Sequence, residues 1–410
     1  MDHPSRRTVL AGGAAFAAWG AIPRAAAAPG SKDPRFLTIV LRGGLDGLAA
    51  VAPIGDPAYA AIRDEFALPE SGAFASVPLS ADFALNGNMP NLADLYRRGE
   101  ALFVHAAHTA YRERSHFAAQ DVLENGVETP LYFESGWLGR AISEMPVESR
   151  IARRDAFAAA ASVPLTLRGA GHVVTWLPAG LPAASIDTRD RLLALYEHTD
   201  RVLADAMLDG IALEHLAGSE REIREGVRQT MMMMGGNDGP SRKIVAAAAA
   251  AGRAMAADDG ARVGFLDFHG FDTHRSQHNN RRLGKTLERL DQAIAALRQA
   301  LGPVWGQTVV TITTEFGRTV RINGSDGTDH GAGTVAMVLG GTVNGGRVIA
   351  DWPGLAERQL YEGRDLRPTT DLRAVLKGIL ADHFGLDRRT LGDRVFPRTA
   401  ALSPIEGLIK

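Results

Sequence analysis

Arg262-Val-Gly-Phe-Leu-Asp267, the stretch Arg281 to Leu301, and Thr308-Val-Val-Thr-Ile-Thr-Thr314 follow one another along the chain, and their reading decides the fold. The two outer pieces are short apolar runs with little polar alternation, the pattern of strands covered on both faces. Between them, Leu283, Leu287, Leu290, Ile294, Leu297 and Leu301 recur at steps of four and three, so a helix presents one apolar stripe to a core. Strand, helix, strand in this order predicts a βαβ unit: a parallel pair joined by a right-handed crossover.

Working outward, Phe36-Leu-Thr-Ile-Val-Leu41 reads as a buried first strand that stops at Arg42-Gly-Gly-Leu-Asp-Gly47. Further strands are predicted at Ala101 to His105, Pro164 to Leu167 and Val335 to Leu339. The fold class is therefore α/β, a three-layer α/β/α sandwich with a mostly parallel sheet. The region of about 188–260 is helical in pattern and lacks a convincing strand, which reads as a helical insertion or cap beside the sheet. Met231 to Met234 lie in it. Four consecutive residues cannot share one helix face, so a partly buried helix end explains them better than a ligand-binding methionine cluster.

The N-terminus carries an address. Ser5-Arg-Arg-Thr-Val-Leu10 precedes a weakly apolar run from Ala11 to Ile22 and then Pro23-Arg-Ala-Ala-Ala-Ala28. A twin-arginine pair, a short apolar region and small residues for cleavage describe a bacterial Tat export signal over residues 1–28. The run is too short and too rich in Ala and Gly to span a bilayer, which needs ~20 apolar residues. The expectation is a periplasmic or secreted protein that meets the Tat translocase during export and keeps no stable membrane span.

Losing residues 1–28 removes Arg6, Arg7, Arg24 and Asp2 and takes the formal charge from −2 to −4. A weakly acidic chain is not built to bind nucleic acid. There is no cysteine, which excludes thiolate metal sites and cysteine nucleophiles.

Ligands of open parallel sheets collect at the carboxyl ends of strands, so polar residues just beyond an apolar run carry the most weight. Asp46 follows the first strand, in a glycine-rich stretch that also suits a plain Asp-Gly turn. Tyr111-Arg-Glu-Arg-Ser-His-Phe117 precedes a helix over Ala118 to Asn125 that Gly126 can end. Ser115 then sits at a helix N-terminus, as an N-cap or as a nucleophile flanked by Arg112, Arg114 and His116. Asp272 and His274 follow the strand ending at Asp267, with Asp267 and His269 as a competing pair of the same spacing. Glu315 and Arg318 follow the strand ending at Thr314, either in the site or in an exposed salt bridge. Asp329-His330-Gly331 lies in a polar loop before the strand at Val335, where His330 is a ligand or a turn histidine. Carboxylate plus imidazole is the ligand set of a divalent metal such as zinc or manganese.

Arg42-Gly-Gly-Leu-Asp-Gly, Arg114-Ser-His-Phe, Gly136-Trp-Leu-Gly-Arg140, Phe271-Asp-Thr-His, Glu315-Phe-Gly-Arg-Thr and Gly327-Thr-Asp-His-Gly together resemble the DUF1501 family, over nearly the whole mature chain. That family is similar to the alkaline phosphatase and sulfatase superfamily. The resemblance implies one α/β domain over about 33–400 and one or two divalent ions, zinc, manganese or calcium. It implies Asp46, Asp272, His274, Glu315 and His330 as metal ligands and Ser115 as nucleophile. Phe316 stands where the superfamily pattern would place a histidine ligand.

The function expected is metal-dependent hydrolysis of phosphate or sulfate esters, with Arg114, His116 and Arg318 as groups that clamp the anionic ester or transfer protons. The rival is a non-catalytic exported binding or assembly protein that keeps the fold and a structural metal.

Overall fold

The computed structural model describes residues 33–145, 156–176, scattered helical positions between 192 and 208, and 239–410 except 280. The expected export signal (1–28), Met231 to Met234 and most of the expected 188–260 insertion lie outside the described residues.

Twelve strands are described: β1 (Arg35–Arg42), β2 (Val51–Ala52), β3 (Val77–Pro78), β4 (Ala84–Leu85), β5 (Ala101–His108), β6 (Ala156–Ala159), β7 (Val173–Thr175), β8 (Val263–His269), β9 (Thr308–Thr314), β10 (Thr334–Leu339), β11 (Arg347–Ile349) and β12 (Thr370–Asp371). The helices that matter below are α1 (Gly47–Ala50), α2 (Tyr59–Arg63), α3 (Pro90–Arg97), α4 (His116–Asn125), α5 (Trp137–Glu144), α6 (Gly239–Ala256), α7 (Arg282–Leu301) and α8 (Leu372–Phe384). Strands β2, β4 and β3 make a small antiparallel sheet, and the other nine form the main one, in the order β11-β5-β10-β9-β1-β8-β6-β7 with β12 also beside β5. Only β10 runs against its neighbours, β5 and β9.

β1 is central because its sequence is apolar on both faces. Leu37, Ile39 and Leu41 point into one core with residues of α3, α6 and α7. Phe36 and Val40 point into the other, with residues of α5 and α8. Helices thus cover both sides of the sheet, as the three-layer expectation requires. Each such side chain, fully withdrawn from water, contributes roughly 1.5–3 kcal/mol before the entropy of ordering it is counted. Gly239–Ala256, at the end of the expected insertion, is itself a core helix: Ala247, Ala248, Ala251 and Met255 of α6 are buried with the α7 stripe.

Three details of the sequence reading change. The expected parallel pair, β8 and β9, is separated by β1, which pairs parallel with both, Phe36 lying opposite Val263 on one side and Val309 on the other. Pro164 to Leu167 is a tight turn and not a strand. Pro164 has no N–H to give a ladder, and the Thr166 amide and hydroxyl go instead to the Glu124 carboxylate at 3.1 and 3.0 Å. The missed strand β6 is Ala-Phe-Ala-Ala, too short and too poor in β-branched residues to signal itself.

The topology gathers loops at one edge. β1, β5, β8 and β9 run the same way, so the segments after each of them emerge together. β10 runs the other way, so the segment before it, Thr328 to Gly331, arrives at that edge too.

Buried in this frame, His105 makes stability depend on pH. Its Nε2–H donates to the Val51 carbonyl at 2.8 Å and its Nδ1 accepts from the Ala106 amide at 2.9 Å, which fixes a neutral ring. Burial is the main reason its pKa falls to about 4. The unfolded chain takes up this proton near pH 6.5, so stability is lost as pH falls from there toward 4, by about 3 kcal/mol in full. In urea melts at pH 7 and pH 4, the gap between wild type and His105→Gln should change by about that amount. A constant gap would show that the ring is protonated in the fold.

Candidate metal centre

Two glycines let the loops close on one another. Gly43 has φ +117°, and a Cβ there would stand 2.3 Å from the Asp272 amide nitrogen. A Cβ on Gly327 would stand 2.3 Å from the His274 carbonyl carbon. The loop after β1 can therefore lie against the loop after β8, and the Gly327 turn against His274, only because neither glycine has a side chain.

Three imidazoles meet Asp272. His116, the first residue of α4, has Nδ1 2.9 Å from Glu315 Oε1. His274 has Nδ1 2.9 Å from Asp329 Oδ1, and His330 has Nδ1 2.9 Å from the Arg114 carbonyl oxygen. All three partners only accept hydrogen bonds, so each ring carries its proton on Nδ1 and turns Nε2 toward the others. His116 Nε2 lies 3.6 Å from Asp272 Oδ2 and is a buried atom with no hydrogen-bond partner. His274 Nε2 lies 3.1 Å from Asp272 Oδ1 and 2.9 Å from His330 Nε2. The donor atoms of His116, Asp272 and His330 all fall within 4.8 Å of one another, the one such group among the described residues.

The contact between His274 and His330 constrains what can lie between the two rings. With both Nδ1 atoms protonated, both Nε2 atoms present lone pairs, and two lone pairs 2.9 Å apart repel. The gap needs a shared proton or a metal cation. Histidine ligands whose far nitrogen is anchored by a carboxylate or carbonyl are the usual arrangement around zinc.

Charge around the cluster is consistent with this. The hydrogen bond to Glu315 raises the pKa of His116 more than burial lowers it. Burial works against ionisation of Glu315, but the hydrogen bonds from His116, Gln120 and Gly43 outweigh it and the carboxyl lies below its usual range. Burial likewise opposes ionisation of Asp272, and the hydrogen bond and charge of Arg318 overcome it. His330 is held below the ordinary histidine value chiefly by burial, with repulsion from His116, Arg318 and His274 adding to it. Phe316 lines one side, its ring centroid 4.9 Å from that of His116 and 4.7 Å from that of His330.

The residues singled out in the sequence divide into three places. Asp272, His330 and His116 form the cluster, with His274 against it. Glu315 stands behind His116: its Oε1 takes the Gly43 amide at 2.8 Å and Gln120 Nε2 at 2.9 Å as well as His116, and its Oε2 takes the Thr314 hydroxyl at 3.0 Å. It orients a ring where direct ligation was expected. Asp46 is elsewhere. It caps α1 through the Ala49 amide, and its Oδ2 holds Arg63 Nη2 at 2.5 Å and Gln277 Nε2 at 2.6 Å.

Arg318 gives Nη1 to Asp272 Oδ1 at 2.8 Å, Nε to the Thr328 hydroxyl at 3.2 Å and Nη2 to the Thr328 carbonyl, so it positions a carboxylate and has little left for an anion. Arg114 is paired with Asp365 at 2.7 Å and Glu362 at 2.5 Å. Ser115 is the N-cap residue of α4, exposed, and its hydroxyl makes no capping bond. Of the competing pair, Asp267 is tied to Arg42 at 2.7 Å, and His269 is exposed.

Sequence reasoning missed Asp329, Gln120 and Gln277 as partners. Asp329 adjoins His330 in a quoted motif, and the number of carboxylates per imidazole was the signal available. Gln120 lies one helical turn after His116, a spacing that places both on one face of α4.

Among solved structures the chain is similar to a protein assigned provisionally as a sulfatase from Bacteroides thetaiotaomicron VPI-5482, at 10% identity over 92% of this chain and 76% of that one, TM-score 0.43. It is also similar to a protein in the alkaline phosphatase superfamily from Vibrio parahaemolyticus, at 10% identity over 79% and 64% of the two chains, TM-score 0.32. A third is the C-terminal periplasmic domain of EcEptC from Escherichia coli in complex with Zn, at 10% identity over 76% and 73%, TM-score 0.33. No curated protein matches. A family model matches residues 111–395, well over half of the chain and all of the cluster, and the protein belongs to that family, described as protein of unknown function (DUF1501).

Proposed function

We propose that the chain is an exported hydrolase of phosphate or sulfate esters that works with one divalent ion held by His116, Asp272 and His330, with His274 beside them. The convergence of donor atoms from His116, Asp272 and His330 within 4.8 Å of one another carries this reading. Imidazole-rich donors favour zinc over calcium, which prefers oxygen ligands. When bound, the ion supplies Lewis-acid polarisation of an ester oxygen.

The chain's own residues do the rest. Glu315 and the Arg114 carbonyl fix the rings of His116 and His330, and Arg318 fixes Asp272. Ser115 offers a hydroxyl not spent on capping, beside free amides at the start of a ten-residue helix, where negative charge on a transferred group is favoured. It is the nucleophile in this reading. Export rests on the twin-arginine segment of residues 1–28.

The test is zinc and manganese titration of protein purified without chelator, followed by phosphomonoester, phosphodiester and sulfate ester assays on wild type and Ser115→Ala. Ser115→Ala should lose nearly all turnover and keep its metal. Zinc affinity should fall with acid sooner than for an ordinary histidine site, because His116 must shed a proton whose pKa is raised. Absence of metal binding at neutral pH would sink the reading. A second reading, a binding protein with a structural ion, draws on the buried Phe316 packed against two of the rings. It predicts bound metal with no Ser115-dependent turnover.

A further inference from the structure

We infer that Asp46, through Gln277 and Thr328, is a positioning group for Arg318 and hence for Asp272. The inference rests on the proposed site only in taking Asp272 as a metal ligand. Five side chains form one buried line: Arg63 and Gln277 meet at Asp46 Oδ2, at 2.5 and 2.6 Å. The Gln277 carbonyl accepts from the hydroxyls of Thr273 at 2.7 Å and Thr328 at 2.9 Å. The Thr328 hydroxyl oxygen accepts from Arg318 Nε at 3.2 Å, and Arg318 Nη1 reaches Asp272 Oδ1 at 2.8 Å. Arg63 is fully buried, Asp46 is 1% exposed, Gln277 3%, Thr328 fully buried and Arg318 2%.

The line has one direction. A carboxylate only accepts, so Asp46 turns the Gln277 amide NH₂ toward itself and the amide oxygen toward the threonines. That oxygen makes Thr328 donate its single hydroxyl proton to Gln277, which leaves the hydroxyl oxygen free to receive Arg318 Nε–H. Arg63 secures the other end, its Nη1 giving 3.2 Å to the Val320 carbonyl, on the same stretch of chain as Arg318. Losing the carboxylate at Asp46 lets the Gln277 amide reverse, and Arg318 then competes with an NH₂ for the Thr328 oxygen. Hydrogen-bond chains in a buried setting act together, so a change at Asp46 is felt at Arg318.

The test uses Gln277→Leu, Thr328→Val and Asp46→Asn in the full chain, with two measurements. Nuclear magnetic resonance exchange of the Arg318 Nε–H needs no metal: the proton should be protected in wild type and exchange faster in all three variants. Zinc titration should then show one ion bound, with affinity lowered about 10- to 100-fold in each, the effect of disturbing the support of a ligand and not the ligand itself. Gln277→Leu and Thr328→Val keep the Asp46–Arg63 pair, so they stand if Asp46→Asn fails to fold. Unchanged exchange at Arg318 in Gln277→Leu and Thr328→Val would overturn the inference. So would Asp46→Asn losing zinc altogether while those two keep wild-type affinity, since Asp46 would then be a ligand. If wild type binds no zinc, the proposed function fails and the exchange result alone decides.

Discussion

Asp272→Ala is expected to abolish zinc binding at micromolar concentration. Among the described residues, Asp272 is the only carboxylate whose oxygens face all three imidazoles, at 3.6 Å from His116, 3.1 Å from His274 and 3.4 Å from His330. Its pKa lies below the usual range because Arg318 outweighs burial, so it is ionised at neutral pH. A single charge next to an ion at the protein surface is worth on the order of 4 kcal/mol, or roughly a thousandfold in affinity. Asp272→Asn keeps the shape and loses the charge, so it should fail in the same way. Asp329→Asn disturbs the anchor of His274, along with the Asn323 bond to the same oxygen, and should weaken binding by about 10- to 100-fold. Calorimetric titration separates these outcomes. An Asp272→Ala protein that binds zinc like wild type would show that the ion sits elsewhere.

Arg63→Met should be the most destabilising of the single changes discussed. Arg63 is the largest fully buried side chain among the described residues, and its guanidinium bridges Asp46 to the Thr319 and Val320 carbonyls. Removing it leaves the buried Asp46 carboxylate with the Gln277 and Ala49 donors but no cation, and breaking a buried pair from one side costs about 3–5 kcal/mol. The companion Arg63→Met/Asp46→Asn variant should recover part of that loss, because no unpaired carboxylate remains. Urea melts of the two variants test this. A cost below about 1 kcal/mol for Arg63→Met would mean that water reaches Asp46.

The distribution of what could be read in advance follows from the range of the forces involved. β1, β5, β8, β9 and α7 were legible because an apolar run or a leucine stripe reports burial directly. β6 and β7 were not, since their pairing with β8 and with each other comes from neighbours distant in sequence. The insertion of β1 between β8 and β9 is a choice among partners, and the crossover alone is blind to it.

The meeting of Asp272, His274 and His330 was expected because polar residues after strand ends collect at a sheet edge, and the placement of Ser115 at a helix start followed from its neighbours. Roles were harder. Asp46, Glu315 and Arg318 all looked like groups that face a ligand, and each turns out to be enclosed by partners far along the chain: Arg63 and Gln277 for Asp46, His116 and Gln120 for Glu315, Asp272 and Thr328 for Arg318.

By itself, then, the sequence determined the α/β class, the edge where the polar loops gather and the residue types brought there, because hydrophobic periodicity and strand-end glycines act locally. Only the tertiary structure decided which carboxylates face the open centre and which are consumed in holding it. A carboxylate's role depends on how many donors surround it, and those donors, Arg63, Gln120 and Gln277, come from helices and loops whose meeting is set by packing.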